Sequence, residues 1–173
     1  MPDDACIADG TKLISQVHRG GGHDGEVRDE QGNLRWRYAT RPNHSGLWLG
    51  NPLRKPDFVL AEANAKEETI IRRVSFIPST SDIVEKGGVI GTIRMLSIFR
   101  NQYSISIGGV NSWSFRMPLF TVLFFGKSAA GFEIWVRVGP SEREWNILIK
   151  PGIAQRCIVA ALAFIHNERY FYS

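Results

Sequence analysis

Arginines that alternate with large apolar side chains are the residues of this sequence best suited to chemistry. In the segment LRWRYATR, residues 34–41, one side of a predicted strand carries Arg35, Arg37 and Arg41, and the other carries apolar side chains such as Trp36. Guanidinium groups suit paired hydrogen bonds to phosphate or carboxylate oxygens. The predicted anion-binding residues are these three arginines and four later cations: Arg35, Arg37, Arg41, Arg54, Lys55, Arg72 and Arg73. The same alternation also fits the solvated outer face of an ordinary barrel strand, so both interpretations stay open.

Charge is divided unevenly along the chain. Residues 1–34 carry seven acidic and three basic side chains, whereas residues 35–173 carry 18 basic and 10 acidic ones, a net charge of +8. Thirteen of those 18 cations are arginines. A basic surface attracts the phosphates of lipids or nucleic acids. The composition therefore predicts a basic surface, which either binds phosphate groups of lipid or nucleic acid or is simply solvated.

The residues that usually carry catalysis or metals do not form a pattern. The four histidines are scattered, and the sequence contains no HExxH, CxxC or GxSxG motif. Cys6 and Cys157 are interpreted as free thiols, and His166 as a residue favoured at the C-terminal end of a helix. We therefore predict a protein that is not an enzyme and that uses no metal or cofactor.

Strands must position the arginines. Residues 26–41 alternate around a turn rich in Gly and Asn, which predicts a hairpin. Eight further runs of strand type follow between residues 57 and 150, with no helical pattern between them, so short antiparallel connections are expected. One of these runs places Arg72 and Arg73 on opposite faces, so one of the two must approach the core, where pairing with an acid is the common arrangement.

A late apolar segment, IAQRCIVAALAFI at residues 153–165, is the predicted centre of the fold. Its last nine residues contain no charge, Gly or Pro, and it is too short to cross a bilayer, which takes about 20 residues. Strands and helix together predict a mainly β fold, a closed antiparallel barrel of about 12 strands that encloses one hydrophobic C-terminal helix near residues 153–166. Residues 1–24 are predicted to be a flexible segment, residues 25–173 the barrel domain, and the aromatic residues 170–172 a final strand.

The order of several short motifs resembles the tubby C-terminal-like superfamily, in particular the phospholipid scramblases and the plant LURP-one-related proteins. These motifs are GEVRDEQGNLRWRYA, DFVLAEA with IIRRVSFI, GVIGTIR, GFEIWVRV with EWNILIKP, and the C-terminal apolar helix. The resemblance spans residues 25–173 and implies a twelve-stranded barrel around a buried helix. It also implies affinity for anionic phosphoinositide headgroups through basic side chains on the barrel surface. The chain lacks the Pro-rich arm, cysteine cluster and acidic calcium segment of the scramblase branch.

The predicted function is that of a non-catalytic binding module that recognises anionic phospholipid headgroups through a basic outer surface. The alternatives are a carrier of a small apolar ligand, which needs an empty barrel, and a protein-interaction domain. Binding of single-stranded nucleic acid through Trp135 and nearby arginines is a weaker alternative. With no secretory signal and no transmembrane segment in the sequence, the expected location is the cytoplasm, at a membrane surface if lipid is bound.

Overall fold

Twelve strands and one helix make up the computed structural model, which describes residues 10–18, 23–41, 56–64, 66–76, 79–97, 102–109, 111–117, 122–141, 143–153 and 155–172. The strands are β1 (Thr11–Val17), β2 (Gly25–Asp29), β3 (Leu34–Arg41), β4 (Asp57–Glu62), β5 (Glu68–Phe76), β6 (Ser79–Glu85), β7 (Gly88–Met95), β8 (Gln102–Ile107), β9 (Asn111–Arg116), β10 (Leu123–Ser128), β11 (Gly131–Val138) and β12 (Glu144–Ile149). The helix is α1 (Gln155–Tyr172).

The strands close into one antiparallel barrel, in which each strand pairs with its neighbours in sequence and β1 pairs with β12. The predicted fold class is therefore confirmed. Two strands were not predicted, because β1 (TKLISQV) and β6 (STSDIVE) each contain several polar residues among the apolar ones that face the core. The barrel consequently begins inside the segment predicted to be flexible. The run LFTVLFF is also shifted, since the strand found there, β10, reads LFFGKS.

The helix occupies the centre of the barrel, as its all-round apolar sequence requires. Ile158, Val159, Ala160 and Leu162 are completely buried, together with inward-facing residues of the surrounding strands. The aromatic residues 170–172, predicted to form a strand, instead continue α1. No Gly or Pro interrupts the sequence between the apolar segment and this end, so nothing stops the helix where the apolar segment ends.

The hairpin of β2 and β3 forms as predicted. Gly32 adopts a φ of 84° in its turn, a conformation that glycine reaches without steric cost. The carboxylate of Asp29 accepts hydrogen bonds from the backbone N–H groups of Gln31 and Asn33, at 3.1 and 2.8 Å. The alternation along β3 is also as predicted, since Trp36 is buried and the arginines of the strand are exposed.

Candidate anion-binding face

The predicted arginines on β3 lie on the outer wall of the barrel. The side chains of Arg35 and Arg37 are exposed, and within the described residues neither forms an ion pair with a carboxylate. Arg37 lies directly opposite Glu26 of β2, and the Glu26 carboxylate already accepts a 2.6 Å hydrogen bond from Arg28. Two of the seven predicted cations are therefore available for a ligand on this side.

Arg41 and Arg72 are committed to carboxylates of neighbouring strands. Arg41 donates to both oxygens of Glu68, at 3.0 and 2.7 Å, and this contact lowers the pKa of Glu68 below its ordinary value. Arg72 donates from Nε and Nη2 to Asp57, with a shortest distance of 2.9 Å. An anionic ligand would have to displace a carboxylate from either arginine, so neither suits the predicted role.

Arg73 faces the interior, opposite to Arg72, as the strand alternation predicts. Its Nη2 donates to Glu168 of α1 at 2.6 Å, and its side chain is only 8% exposed. The assignment of Arg73 to an outer binding surface is therefore wrong, because the guanidinium is turned into the barrel. The remaining two predicted cations, Arg54 and Lys55, lie outside the described residues.

A different group of cations lies on the far wall, on β7–β10, four to six strands from β3 around the barrel. Arg94 of β7 is paired in register with Ser104 of β8, Ser104 with Ser114 of β9, and Ser114 with Lys127 of β10. Adjacent strands are about 4.8 Å apart, so this line crosses about 14 Å of the wall. Arg116 lies two residues beyond Ser114 on the same face of β9. We call Arg94, Ser104, Ser114, Arg116 and Lys127 the basic row.

Carboxylates are almost absent from this wall. The five strands β7–β11 contain one acidic residue, Glu133. Glu133 accepts hydrogen bonds from the buried indole of Trp113 at 2.9 Å and from the Ser128 hydroxyl at 2.5 Å, so it is turned away from the row. Within the described chain, no carboxylate forms an ion pair with the cations of the basic row. These cations are therefore free to meet an external anion.

Exposed apolar side chains flank the basic row. Leu96 is 56% exposed and Phe132 is 47% exposed. The strand alternation places Phe132 on the inner face with Ile134, but the register shifts between Gly126 and Lys127 opposite it. This bulge turns Phe132 outward, where its ring packs edge-on against Phe125 and lies 5.7 Å from the Lys127 ammonium. Cations and apolar groups thus share one patch.

The helix fills the described part of the barrel interior. Two cavities in the described structure adjoin Arg73, Phe164 and Glu168 and measure about 40 and 30 Å³, enough for a few water molecules only. A carrier barrel for an apolar ligand needs an empty centre, and α1 occupies it. The alternative of an interior carrier is therefore not supported.

Buried polar side chains of the helix contact residues of the barrel wall. Ser15 lies 3.2 Å from Nδ1 of His166, whose ring stacks on Trp145 with centroids 4.4 Å apart. His166 is buried inside α1 and does not lie at the helix end that the sequence suggested. Ser15 and His166 are 0% and 1% exposed, so this pair has no access to a substrate.

The N-terminal end of α1 is held by an ion-pair cluster. Arg156 donates from Nε to Glu85 at 2.9 Å and from Nη1 to Glu67. Thr69 also donates to Glu85, at 2.6 Å. Burial, together with the Glu85 charge, raises the pKa of the neighbouring Cys157 thiol to about 11. The thiol is therefore protonated at neutral pH and unsuited to nucleophilic chemistry.

The sequence prediction missed the basic row because it identified strands in this region without assigning which of their residues face outward. Strict alternation in QYSISI and SWSFRM already places Ser104, Ser114 and Arg116 outward. The signal that could have found the row is the near absence of acids between residues 88 and 138. What the sequence could not supply is the register that aligns residues of four strands.

The chain matches no protein-family model, no curated protein and no solved structure. The resemblance to the tubby C-terminal-like superfamily therefore stays a prediction. Among the described residues, no helix combines the length and the apolar content needed to cross a membrane.

Proposed function

We propose that this protein is a non-catalytic binding module for anionic phospholipid headgroups, which it holds on the outer wall formed by β7–β10. The observation that carries the proposal is the basic row, where Arg94, Arg116 and Lys127 share one face with no carboxylate partner in the described chain. The small side chains of Ser104 and Ser114 lie between these cations and leave room for a phosphate. The Ser104 hydroxyl can donate to it, whereas the Ser114 hydroxyl donates to the backbone carbonyl of Lys127 at 3.3 Å. The barrel resemblance favours the same ligand class.

The apolar flank suits a membrane better than a dissolved anion. Leu96 and Phe132 project beside the cations and can enter the region between headgroups and acyl chains. A surface that carries both cations and exposed apolar groups gains from both parts of an anionic bilayer. Arg35 and Arg37 form a smaller second candidate, on a wall where three other arginines are occupied by acids.

The contribution of the basic row to the free energy of membrane binding can be estimated. A cation near an anionic membrane surface contributes about 1 kcal/mol, so three of them contribute about 3 kcal/mol, a factor of about a hundred in affinity. Salt should weaken the binding strongly, because exposed charges are screened.

Flotation with vesicles tests the proposal. Vesicles of phosphatidylcholine alone are compared with vesicles that also contain phosphatidylserine or a phosphorylated phosphatidylinositol. The triple variant Arg94→Gln, Arg116→Gln, Lys127→Gln is set against a control triple with the same net charge, Arg35→Gln, Arg37→Gln, Lys66→Gln. We expect the first variant to lose about a hundredfold in affinity for anionic vesicles and the control to lose much less.

Three results would contradict the proposal. Equal losses in both triples would mean that net charge alone drives binding, and a larger loss in the control would place the site on β3. If the wild-type protein does not bind anionic vesicles but binds single-stranded oligonucleotides with steep salt dependence, the ligand is nucleic acid and not lipid.

A further inference from the structure

A groove of about 390 Å³ opens on the outer wall beside the basic row. It lies over β9 and β10, whose pairing among the described residues runs through Gly126 with Phe115 and Lys127 with Ser114, whereas the described ladders on either side extend along whole strands. A Cβ atom on Gly126 would lie 2.5 Å from the Phe115 ring, so the missing side chain lets that ring pack against the strand.

The lining of the groove combines apolar side chains with two cations. Leu96, Phe125 and Phe132 supply apolar surface, while Arg116 and Lys127 supply positive charge and Ser114 lies between them. In the described chain neither cation is paired with a carboxylate, and the Lys127 ammonium is held over the Phe132 ring. The complementary ligand has an apolar body and one anionic end.

We propose that this groove binds a single-chain anionic amphiphile, a long-chain carboxylate, with its chain along Leu96, Phe125 and Phe132 and its head at Arg116 and Lys127. The inference deepens the proposed function and rests on it for the role of the basic row. The volume of the groove lies at the lower end of the range for small-molecule sites, which suits one acyl chain rather than the two chains of a bilayer phospholipid. A protein partner would need a contact surface of about 1,000 Å² or more, far beyond one such groove.

Chain length provides the first test. Octanoate, decanoate, dodecanoate and tetradecanoate, each below its micelle concentration, are titrated into the full chain by calorimetry. Each buried methylene should tighten binding by about twofold to fourfold, and the gain should stop once the groove is full. A neutral alcohol and a quaternary ammonium of matched length should bind at least about tenfold more weakly. Gains that never level off, or equal binding of all head types, would show partitioning onto exposed apolar surface and overturn the proposal.

Paired variants provide the second test. Gln102→Trp fills the groove and leaves the basic row unchanged, and Ser106→Trp adds the same side chain on the same face of β8, four residues away. We expect Gln102→Trp to lose dodecanoate binding by at least about tenfold and Ser106→Trp to keep it. Lys127→Gln should weaken dodecanoate by about tenfold, with Lys66→Gln as its matched control. Loss in both Trp variants, or in neither, would contradict the assignment of the groove.

The two proposals can fail separately. Gln102→Trp should still float with anionic vesicles, because all five residues of the basic row are unchanged. If wild-type protein floats but binds no carboxylate, the groove proposal is wrong and the headgroup proposal stands. If carboxylates bind with the expected length dependence and vesicles do not, the headgroup proposal is wrong and the groove is a site for a dissolved ligand.

Discussion

Replacing Ala160 by Asp should unfold the domain at neutral pH. Ala160 lies in the middle of α1 and is 0% exposed, with completely buried neighbours on both sides along the helix. A carboxyl placed there either stays charged without a partner or takes up a proton. Protonation is the cheaper course, because it costs about 1.4 kcal/mol for each pH unit above the ordinary Asp pKa of about 3.9, or about 4 kcal/mol at pH 7.

Two further costs add to this one. Burying the neutral carboxyl without hydrogen-bond partners costs about 1–3 kcal/mol, and the extra volume in a filled barrel costs a similar amount. The total of about 6–10 kcal/mol is comparable with the whole stability of a domain of this size, about 5–15 kcal/mol. Ala160→Asn has nearly the same shape and no charge, so it should suffer only the last two costs.

Urea unfolding followed by circular dichroism measures these differences. At pH 7 Ala160→Asp should show either no cooperative urea transition or an unfolding free energy about 4 kcal/mol below that of Ala160→Asn, and the difference should close as the pH approaches 4. Ala129→Asp, in an exposed turn, should change stability by less than about 0.5 kcal/mol. A soluble Ala160→Asp protein that unfolds cooperatively, within about 1 kcal/mol of the Asn variant at pH 7, would refute the central position of the helix.

Two predictions concern the ion pairs that hold α1. Arg73→Met and Glu168→Gln should each lower the free energy of unfolding by about 3 kcal/mol, because each removes the ion-pair partner of a largely buried charge. The double variant should lose clearly less than the sum of the two single variants, and additive losses would contradict a coupled pair. The hydrogen bond from Arg156 lowers the pKa of Glu85 below its ordinary value of 4.5, so its contribution to stability is present above that pH and is lost as the pH falls through the lowered value. Glu85→Gln should reduce the acid sensitivity of the unfolding free energy, and an unchanged pH profile would show that the cluster does not contribute.

The fold was largely predictable because its main signals are local. Alternation on β3 follows from the pleat, the β2–β3 turn from Gly32 and Asn33, and the central helix from an apolar segment that only an enclosed site can accommodate. The unpredicted strand β1 carries a buried polar side chain because of a tertiary contact. Ser15 of β1 faces His166 inside the barrel, and a local sequence pattern cannot predict a contact between residues so far apart in the chain.

The candidate site was less predictable, because whether an arginine can bind a ligand depends on carboxylate partners that are distant in sequence. Arg41 and Glu68 are 27 residues apart, and Arg73 and Glu168 are 95 residues apart, yet each acid occupies the guanidinium of its arginine. A count of cations along β3 could not reveal these pairs. By contrast, the basic row depends on a scarcity of acids along five strands, which sequence alone does record.

The closed interior explains why binding should use the wall. The helix is fixed near its start by Arg156 with Glu85 and near its end by Arg73 with Glu168, and its middle fills the barrel. A filled, closed barrel has little freedom to change the register of its strands. Side chains aligned across β7–β10 therefore keep their spacing before any ligand arrives, and a preorganised row of cations loses less entropy on binding than a flexible basic tail would.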